Sequence, residues 1–191
     1  MNPRLSLVIP TLNEADNVPV LLGRLSRVLA SWAGAYEVLV VDADSPDETW
    51  RVAESLQRHC PWLRVIRRRT GPRGLAHAVV EGWRQAHGEL LAVMDADLQH
   101  PPETLMELLD AFEDPLVDVA IASRYAAPDD APQRQRIRRW MSRGGSTVAH
   151  AVLPRQAHRV TDPLSGFFVL RRQVIEDATL APRGYKILLE V

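Results

Sequence analysis

The chain is predicted to be an α/β domain with a mostly parallel sheet flanked by helices, and three observations lead there. Short apolar, β-rich runs alternate with longer segments of helical period. The strand candidates are apolar on both faces, as strands covered by helices on two sides must be. The unusual polar residues collect just beyond the strand ends, where open α/β sheets gather their ligands. With 191 residues, 46% of them hydrophobic, and a formal net charge of -1, the chain is long enough for one well-buried core and short for two.

Taken in order, Leu5 to Ile9 reads as the first strand. Asn17 or Asp16 is placed to cap a helix carrying Leu21, Leu22, Leu25, Val28 and Leu29. Tyr36 to Val41 follows as a strand, and Ser45-Pro46 opens a helix with Val52 and Leu56 facing inward. Leu63 to Arg67 is the third strand, Gly74 to Ala86 the third helix, Leu90 to Met94 the fourth strand, Pro102 to Phe112 the fourth helix and Val117 to Ala122 a fifth strand. Gly71-Pro-Arg-Gly74 is not a dinucleotide fingerprint, because it lacks G-x-G-x-x-G after its strand; Gly74 instead permits a tight strand-to-helix turn.

The single cysteine, Cys60, excludes an internal disulfide framework, and no run approaches the roughly 18 apolar residues of a membrane span. The start resembles no export signal, so a cytoplasmic setting is expected. Lys186 is the only lysine beside many arginines. Between Pro132 and Val160 there are seven arginines and no acidic residue, interleaved with Ile137, Trp140, Met141, Val148 and Val152. Such a segment forms a basic amphipathic helix, broken near Gly144-Gly145, that suits either an anionic membrane surface or packing on its own core with the arginines in water.

The chemistry is concentrated in Leu90-Leu-Ala-Val-Met-Asp-Ala-Asp-Leu-Gln-His-Pro-Pro-Glu103. In an extended segment the i, i+2 spacing puts Asp95 and Asp97 on one side. Two carboxylates followed by the Gln99 amide offer hard oxygen donors suited to Mg²⁺ or Mn²⁺ with a diphosphate. The competing readings are a solvated acidic turn, or Asp97 serving only to cap the next helix.

That segment, together with Val8-Ile-Pro-Thr-Leu-Asn-Glu14, Val41-Asp-Ala-Asp-Ser-Pro-Asp-Glu-Thr49, Gly74-Leu-Ala, Ser123-Arg-Tyr125, Asp162-Pro-Leu-Ser-Gly-Phe-Phe168 and Gly184-Tyr-Lys-Ile-Leu-Leu-Glu190, resembles family 2 glycosyltransferases, and more narrowly their polyprenyl-phosphate (dolichol-phosphate) mannosyltransferase branch. The resemblance implies a GT-A fold in one domain over residues 1–191, with a nucleotide-sugar half to about 125 and an acceptor half from about 126. It implies nucleotide-sugar contacts from Pro10, Leu12, Glu14, Val41, Asp42, Asp95, Ala96, Asp97 and Arg124. A Mg²⁺ or Mn²⁺ ion would be held by Asp95, Asp97 and Gln99, and the chemistry carried by Asp95, Asp97 and Arg124.

The implied reaction is inverting, metal-dependent transfer of a hexose, mannose from GDP-mannose, onto a polyprenyl or dolichyl phosphate. Two other readings stay open: a glucosyl analogue using UDP-glucose, and a noncatalytic nucleotide-sugar-binding remnant. The expected partners are the sugar nucleotide, the lipid phosphate, a membrane surface at its cytoplasmic face and a membrane subunit, with no nucleic acid.

Departures from the family pattern are specific. Ala43 stands where relatives carry a second aspartate; Asp44 is the nearest carboxylate, although a one-residue shift in an extended segment points to the other face. Glu48 replaces a usual glycine. The resemblance also implies a further strand and a basic R-x-x-G-x-S-K segment, so the acceptor half is expected to be incomplete at its C-terminus.

Overall fold

The computed structural model describes residues 3–72, 74–122, 165–176, 180 and 187–189. Its centre is β1 (Leu5–Thr11), in which every residue is buried. Beside it lie β2 (Tyr36–Asp42), β3 (Leu63–Arg67), β4 (Leu90–Met94), β5 (Val119–Ile121) and β6 (Phe167–Arg171). The six strands form one sheet in the order β3-β2-β1-β4-β6-β5. β3, β2, β1 and β4 run parallel to one another, while β6 is antiparallel to both β4 and β5.

The helices are α1 (Asn17–Leu29), α2 (Thr49–Leu56), α3 (Leu75–Gln85), α4 (Thr104–Asp110) and the single turn α5 (Gln173–Glu176). Two apolar clusters follow from the alternation of side chains along each strand. Leu5, Leu7, Ile9, Val38, Val40, Ala92 and Met94 pack with the apolar residues of α1, α2 and α4 on one face. Val8, Leu39, Val41, Leu91 and Val93 pack with Ala76, Val79, Val80 and Trp83 of α3 on the other. The strands are therefore apolar on both faces because both faces are covered.

α1 buries Val18, Leu21, Leu22, Leu25 and Leu29, a stripe of helical period, and leaves Val28 half-buried. Neither Asp16 nor Asn17 caps it as expected. Asp16 is already helical and its side chain makes no cap bond. The Glu14 carbonyl instead accepts from the N–H groups of Asn17 and Val18, and the Asn17 amide donates to the Glu14 carboxylate at 2.6 Å.

α2 also differs from expectation. It starts at Thr49 rather than after Ser45-Pro46, and its buried face is Thr49 and Ala53, with Val52 and Leu56 only partly covered. Ala53 brings the helix close to the sheet, which a larger side chain would prevent. α3 does begin as expected, with Gly74 at φ +141° providing a backbone turn that suits glycine. The clearest omission is β6: Phe167 to Arg171 is a core strand that pairs Met94 with Phe167 and Val93 with Phe168. It separates β4 from β5, which is shorter than predicted and lies at the edge.

At the amino end of the parallel strands, Glu37 is nearly buried, with 8% of its surface exposed. It accepts from the Ser6 hydroxyl at 2.7 Å, from Arg64 at 2.8 Å and from the His87 N–H at 2.7 Å. Burial pushes its carboxyl upward, but the Ser6 and Arg64 hydrogen bonds, the His87 N–H and the Arg64 charge together hold it below its ordinary value of 4.5. A carboxylate shifted downward stabilises the fold above its unfolded pKa, and that contribution disappears as pH falls through the folded value. Glu37→Gln is expected to remove about 1.5–3 kcal/mol near neutral pH and to flatten the acid limb of stability. Denaturant melts from neutral pH down to about pH 3 check this, since wild type and variant converge only where Glu37 is protonated.

Candidate active site at the carboxyl rim of the sheet

β1 leads through α1 to β2 on one side, whereas its other neighbour, β4, comes from a different part of the chain. In a doubly wound sheet such a reversal opens a crevice beyond the strand ends. The β1–β4 ladder stops at Val8 with Val93, while the β1–β2 ladder continues to Thr11 with Asp42. Pro10, which has no N–H to donate, thus lies inside β1 where pairing with β4 has already ended. The segments that leave β1 and β4 at this end are Leu12 to Glu14 and Asp95 to Gln99.

The first side is held by a buried carboxylate. Asp42 has no exposed surface; it accepts from the Thr11 hydroxyl at 2.8 Å, the Ser45 hydroxyl at 2.6 Å and the Ser45 N–H at 2.8 Å. The Ser45 oxygen in turn accepts from the Asn13 N–H at 3.0 Å. Asp47 accepts from Thr49 N–H at 3.0 Å, from the Thr49 hydroxyl at 2.6 Å and from Ala15 N–H at 3.1 Å. The Thr49 oxygen closes the set by accepting from Glu14 N–H at 2.9 Å. Partial burial raises the Asp47 carboxyl, and the Thr49 and Ala15 donors more than offset it, leaving it below its ordinary value. Two loops distant in sequence are therefore zipped together by alternating carboxylates and hydroxyls.

Among the described residues, four other than glycine have left-handed backbone: Asn13 (φ 58°), Asp44 (φ 60°), Glu48 (φ 59°) and Leu98 (φ 58°). All four lie beyond the ends of β1, β2 and β4. Such conformations persist where surrounding contacts over-determine them, and they collect at functional sites. Leu98, between Asp97 and Gln99, packs its side chain against the core. Glu48 occupies the position where the resemblance calls for glycine, and its backbone explains that preference.

On the second side, Asp95 and Asp97 are both partly exposed around a buried Ala96. The Gln99 N–H donates to Asp97 at 3.0 Å, and the Gln99 side-chain amide donates to the other Asp97 oxygen. Half a turn of that amide brings its oxygen to the same place. Two carboxylates and an amide are hard donors, and among the described residues no group of three or more His, Cys, Asp or Glu converges. Such a sparse oxygen set fits Mg²⁺ or Mn²⁺, which keep water and substrate phosphate ligands.

Of the other expected contacts, Leu12 is 43% exposed, and Glu14 is partly exposed with its carboxylate bonded to Asn17. Pro10, Val41 and Asp42 are buried beneath the rim. The Val41 side chain belongs to the core cluster on α3, so it does not line a surface, and the Asp42 carboxylate is engaged with Thr11 and Ser45. Asp97 does not cap α4, whose first residue is Thr104. Asp44 does not replace the carboxylate missing at Ala43: it is paired with Arg67 at 2.6 Å, and Arg67 lies 3.7 Å over the Trp50 ring. Arg124, the basic segment 132–160 and most of the Gly184 to Glu190 motif lie outside the described residues. Ser45, Asp47 and Thr49 were not among the predicted site residues; their Asp/Ser/Thr spacing after a strand is the signal, since these types bond loop backbone.

The family description "Glycosyl transferase family 2" matches residues 6–178 of this α/β fold. The chain belongs to that family. It is 42% identical over 188 residues to a dolichol-phosphate mannosyltransferase of Pyrococcus furiosus, covering 98% of this chain and 52% of that protein. It is 32% identical to a dolichol-phosphate mannosyltransferase of Saccharomyces cerevisiae, covering 100% of this chain and 70% of that protein, and 34% identical to a polyprenol monophosphomannose synthase of Mycolicibacterium smegmatis, of which it covers 68%. The chain thus spans between half and about two thirds of the length of these relatives. The fold is shared with glucosyl-3-phosphoglycerate synthase of Mycobacterium tuberculosis, solved with Mn²⁺, UDP-glucose and phosphoglyceric acid, at a TM-score of 0.73 and 20% identity, covering 98% of this chain and 62% of that one. Among the described residues no helix is long and apolar enough to cross a membrane.

Two outcomes follow from the loop network. Asp42→Ala leaves the Thr11 and Ser45 donors without their acceptor and is expected to remove about 2–3 kcal/mol of stability, measured by urea unfolding. Glu48→Gly relieves the left-handed backbone at the loss of an exposed ion pair to Arg51, and is expected to add about 0.5–1 kcal/mol. Calorimetry should then show a melting temperature higher by about 1–4 °C.

Proposed function

We propose that this chain carries the donor site of a polyprenyl-phosphate mannosyltransferase, moving mannose from GDP-mannose onto a polyprenyl or dolichyl phosphate. The observation that supports the reading is that Asp95, Asp97 and Gln99, three side chains with oxygen donors, directly follow β4, which pairs with the central strand β1. The printed names of the relatives, two dolichol-phosphate mannosyltransferases and a polyprenol monophosphomannose synthase, support the choice of sugar and acceptor.

Asp95, Asp97 and Gln99 would hold Mg²⁺ or Mn²⁺, which supplies charge stabilisation to the diphosphate as the sugar leaves it. Arg124 adds positive charge to the same leaving group. Leu12 and Glu14 line the nucleotide from the β1 loop, and Ala96 from the β4 turn. Pro10, Val41 and Asp42 shape that loop from below, with Thr11 and Ser45 transmitting the position of Asp42 to the backbone of Asn13.

A polyprenyl phosphate oxygen is already anionic near neutral pH, so attack on the anomeric carbon needs no dedicated general base. Direct attack inverts the α linkage of the donor to a β-linked lipid-phosphate mannose. The arginines of the 132–160 segment (Arg134, Arg136, Arg138, Arg139 and Arg143) meet anionic lipid at the cytoplasmic face of the membrane while Trp140 and Met141 enter the interface.

Radiolabelled transfer from GDP-mannose to a polyprenyl phosphate tests the assignment, with NMR of the product reading the linkage. A β linkage is expected, and a retained α linkage would refute direct displacement. Asp97→Asn is expected to lower turnover by about 100-fold or more while leaving the melting temperature of the free protein within a few degrees. Replacing the five named arginines by glutamate is expected to abolish cosedimentation with anionic liposomes, and unchanged cosedimentation would leave that segment a packing role only.

A further inference from the structure

Gly166, in the Asp162 to Phe168 motif, touches the segment that carries Asp95 in a way the proposed chemistry has not used. Gly166 has an unexceptional backbone, so conformation does not require glycine there. Space does: a Cβ built on Gly166 would lie 1.7 Å from Asp95 Oδ2, 2.2 Å from its Cγ and 2.8 Å from its Oδ1. The Asp95 carboxylate occupies the volume that any side chain at position 166 would fill.

The backbones of both partners are held in place. The Asp95 N–H donates to the Gly166 carbonyl at 3.0 Å, extending the β4–β6 ladder, in which Met94 pairs with Phe167. On the other side of the glycine, the buried Ser165 hydroxyl donates to the Ala122 carbonyl at 2.8 Å and accepts from Phe167 N–H at 3.1 Å. The ring of Phe167 meets His100 edge to face at 5.8 Å, tying β6 to the turn that carries Asp97 and Gln99. The segment under Asp95 is thus held from β4, from the end of β5 and from the His100 ring. The clash reaches Cγ, one bond from the Asp95 Cβ, so clearing it requires rotation about the Cα–Cβ bond, which carries the carboxylate to a new position.

We propose that Gly166 is a positioning residue for the donor site: by lacking a side chain it seats the Asp95 carboxylate in the orientation that a cation and diphosphate need. The inference rests on the donor-site reading above, but its packing half can be measured without any ligand.

The test is a double-mutant cycle on the folded chain with two readouts, thermal melting and calorimetric binding of GDP in the presence of Mn²⁺. Gly166→Ala is expected to lower the melting temperature and weaken Mn²⁺-dependent GDP binding by about tenfold or more. In an Asp95→Gly background, where the clashing carboxylate is gone, the same substitution is expected to leave the melting temperature unchanged. Gly88→Ala serves as control, because its Cβ would meet Ser6 N at 2.5 Å at the opposite end of the sheet; it should destabilise while leaving GDP affinity unchanged.

Equal melting losses with and without Asp95 would overturn the seating, and so would wild-type GDP affinity in Gly166→Ala. If Gly166→Ala does not fold, recovery of folding in Asp95→Gly/Gly166→Ala supports the proposal, and failure of both overturns it. Absence of GDP binding by the wild-type chain would instead refute the donor-site reading, and the melting cycle would still decide whether Gly166 seats Asp95.

Discussion

A carboxylate with no exposed surface at the end of a parallel strand is the constraint on which the rim of this protein depends. Burying the Asp42 charge is tolerable only because Thr11 and Ser45 direct three hydrogen-bond donors at it. Those donors belong to the end of β1 and to the loop after β2, so satisfying one buried charge dictates the path of both. Ser45 and Thr49 then pass the constraint on, each donating to a carboxylate and accepting a backbone N–H from the loop after β1. Left-handed backbone at Asn13, Asp44 and Glu48 survives because the network leaves the chain no less strained alternative.

The same arrangement recurs at the other end of the sheet with a different consequence. Ser6 pairs with Glu37 and Thr11 with Asp42 in the β1–β2 register, and each hydroxyl donates to the carboxylate directly opposite it. A slip of one residue would strand both charges, so the two pairs specify the register that apolar strands alone would leave loosely defined. At the amino end the donors around Glu37 come from β3 and the segment before β4, and the result is a closed cross-link. At the carboxyl end they come from the end of β1 and the loop after β2, and the result is a pair of loops fixed to each other.

The segment after β4 is built differently. Asp95, Ala96, Asp97 and Gln99 follow a strand whose position is fixed by β1 on one side and β6 on the other. Leu98 anchors the turn to the core, and Gly166 and His100 connect the turn to β6. The division is physically sensible: a binding surface needs groups held within a fraction of an ångström, and packing from two elements achieves this better than a free loop.

Much of this was legible in the residue string. Apolar periodicity located the four parallel strands because each is a short run bounded by turn residues. What escaped was whatever depends on a partner far along the chain. Phe167 to Arg171 reads as part of a motif and becomes a strand only because β4 and β5 offer it edges. Ala53 rather than Val52 faces the sheet because α2 begins at Thr49, where Asp47 receives its N–H. Asp42 looks like a ligand-binding acid from its position after a strand, yet its surroundings turn it into a support for the loops. Composition and periodicity determined which segments are strands and helices and which residue types stand at their ends, since these depend on local backbone preference and burial. Only tertiary structure decided which carboxylates face a crevice and which face hydroxyls, because the energy of a charge is set by the donors and dielectric that distant segments bring to it.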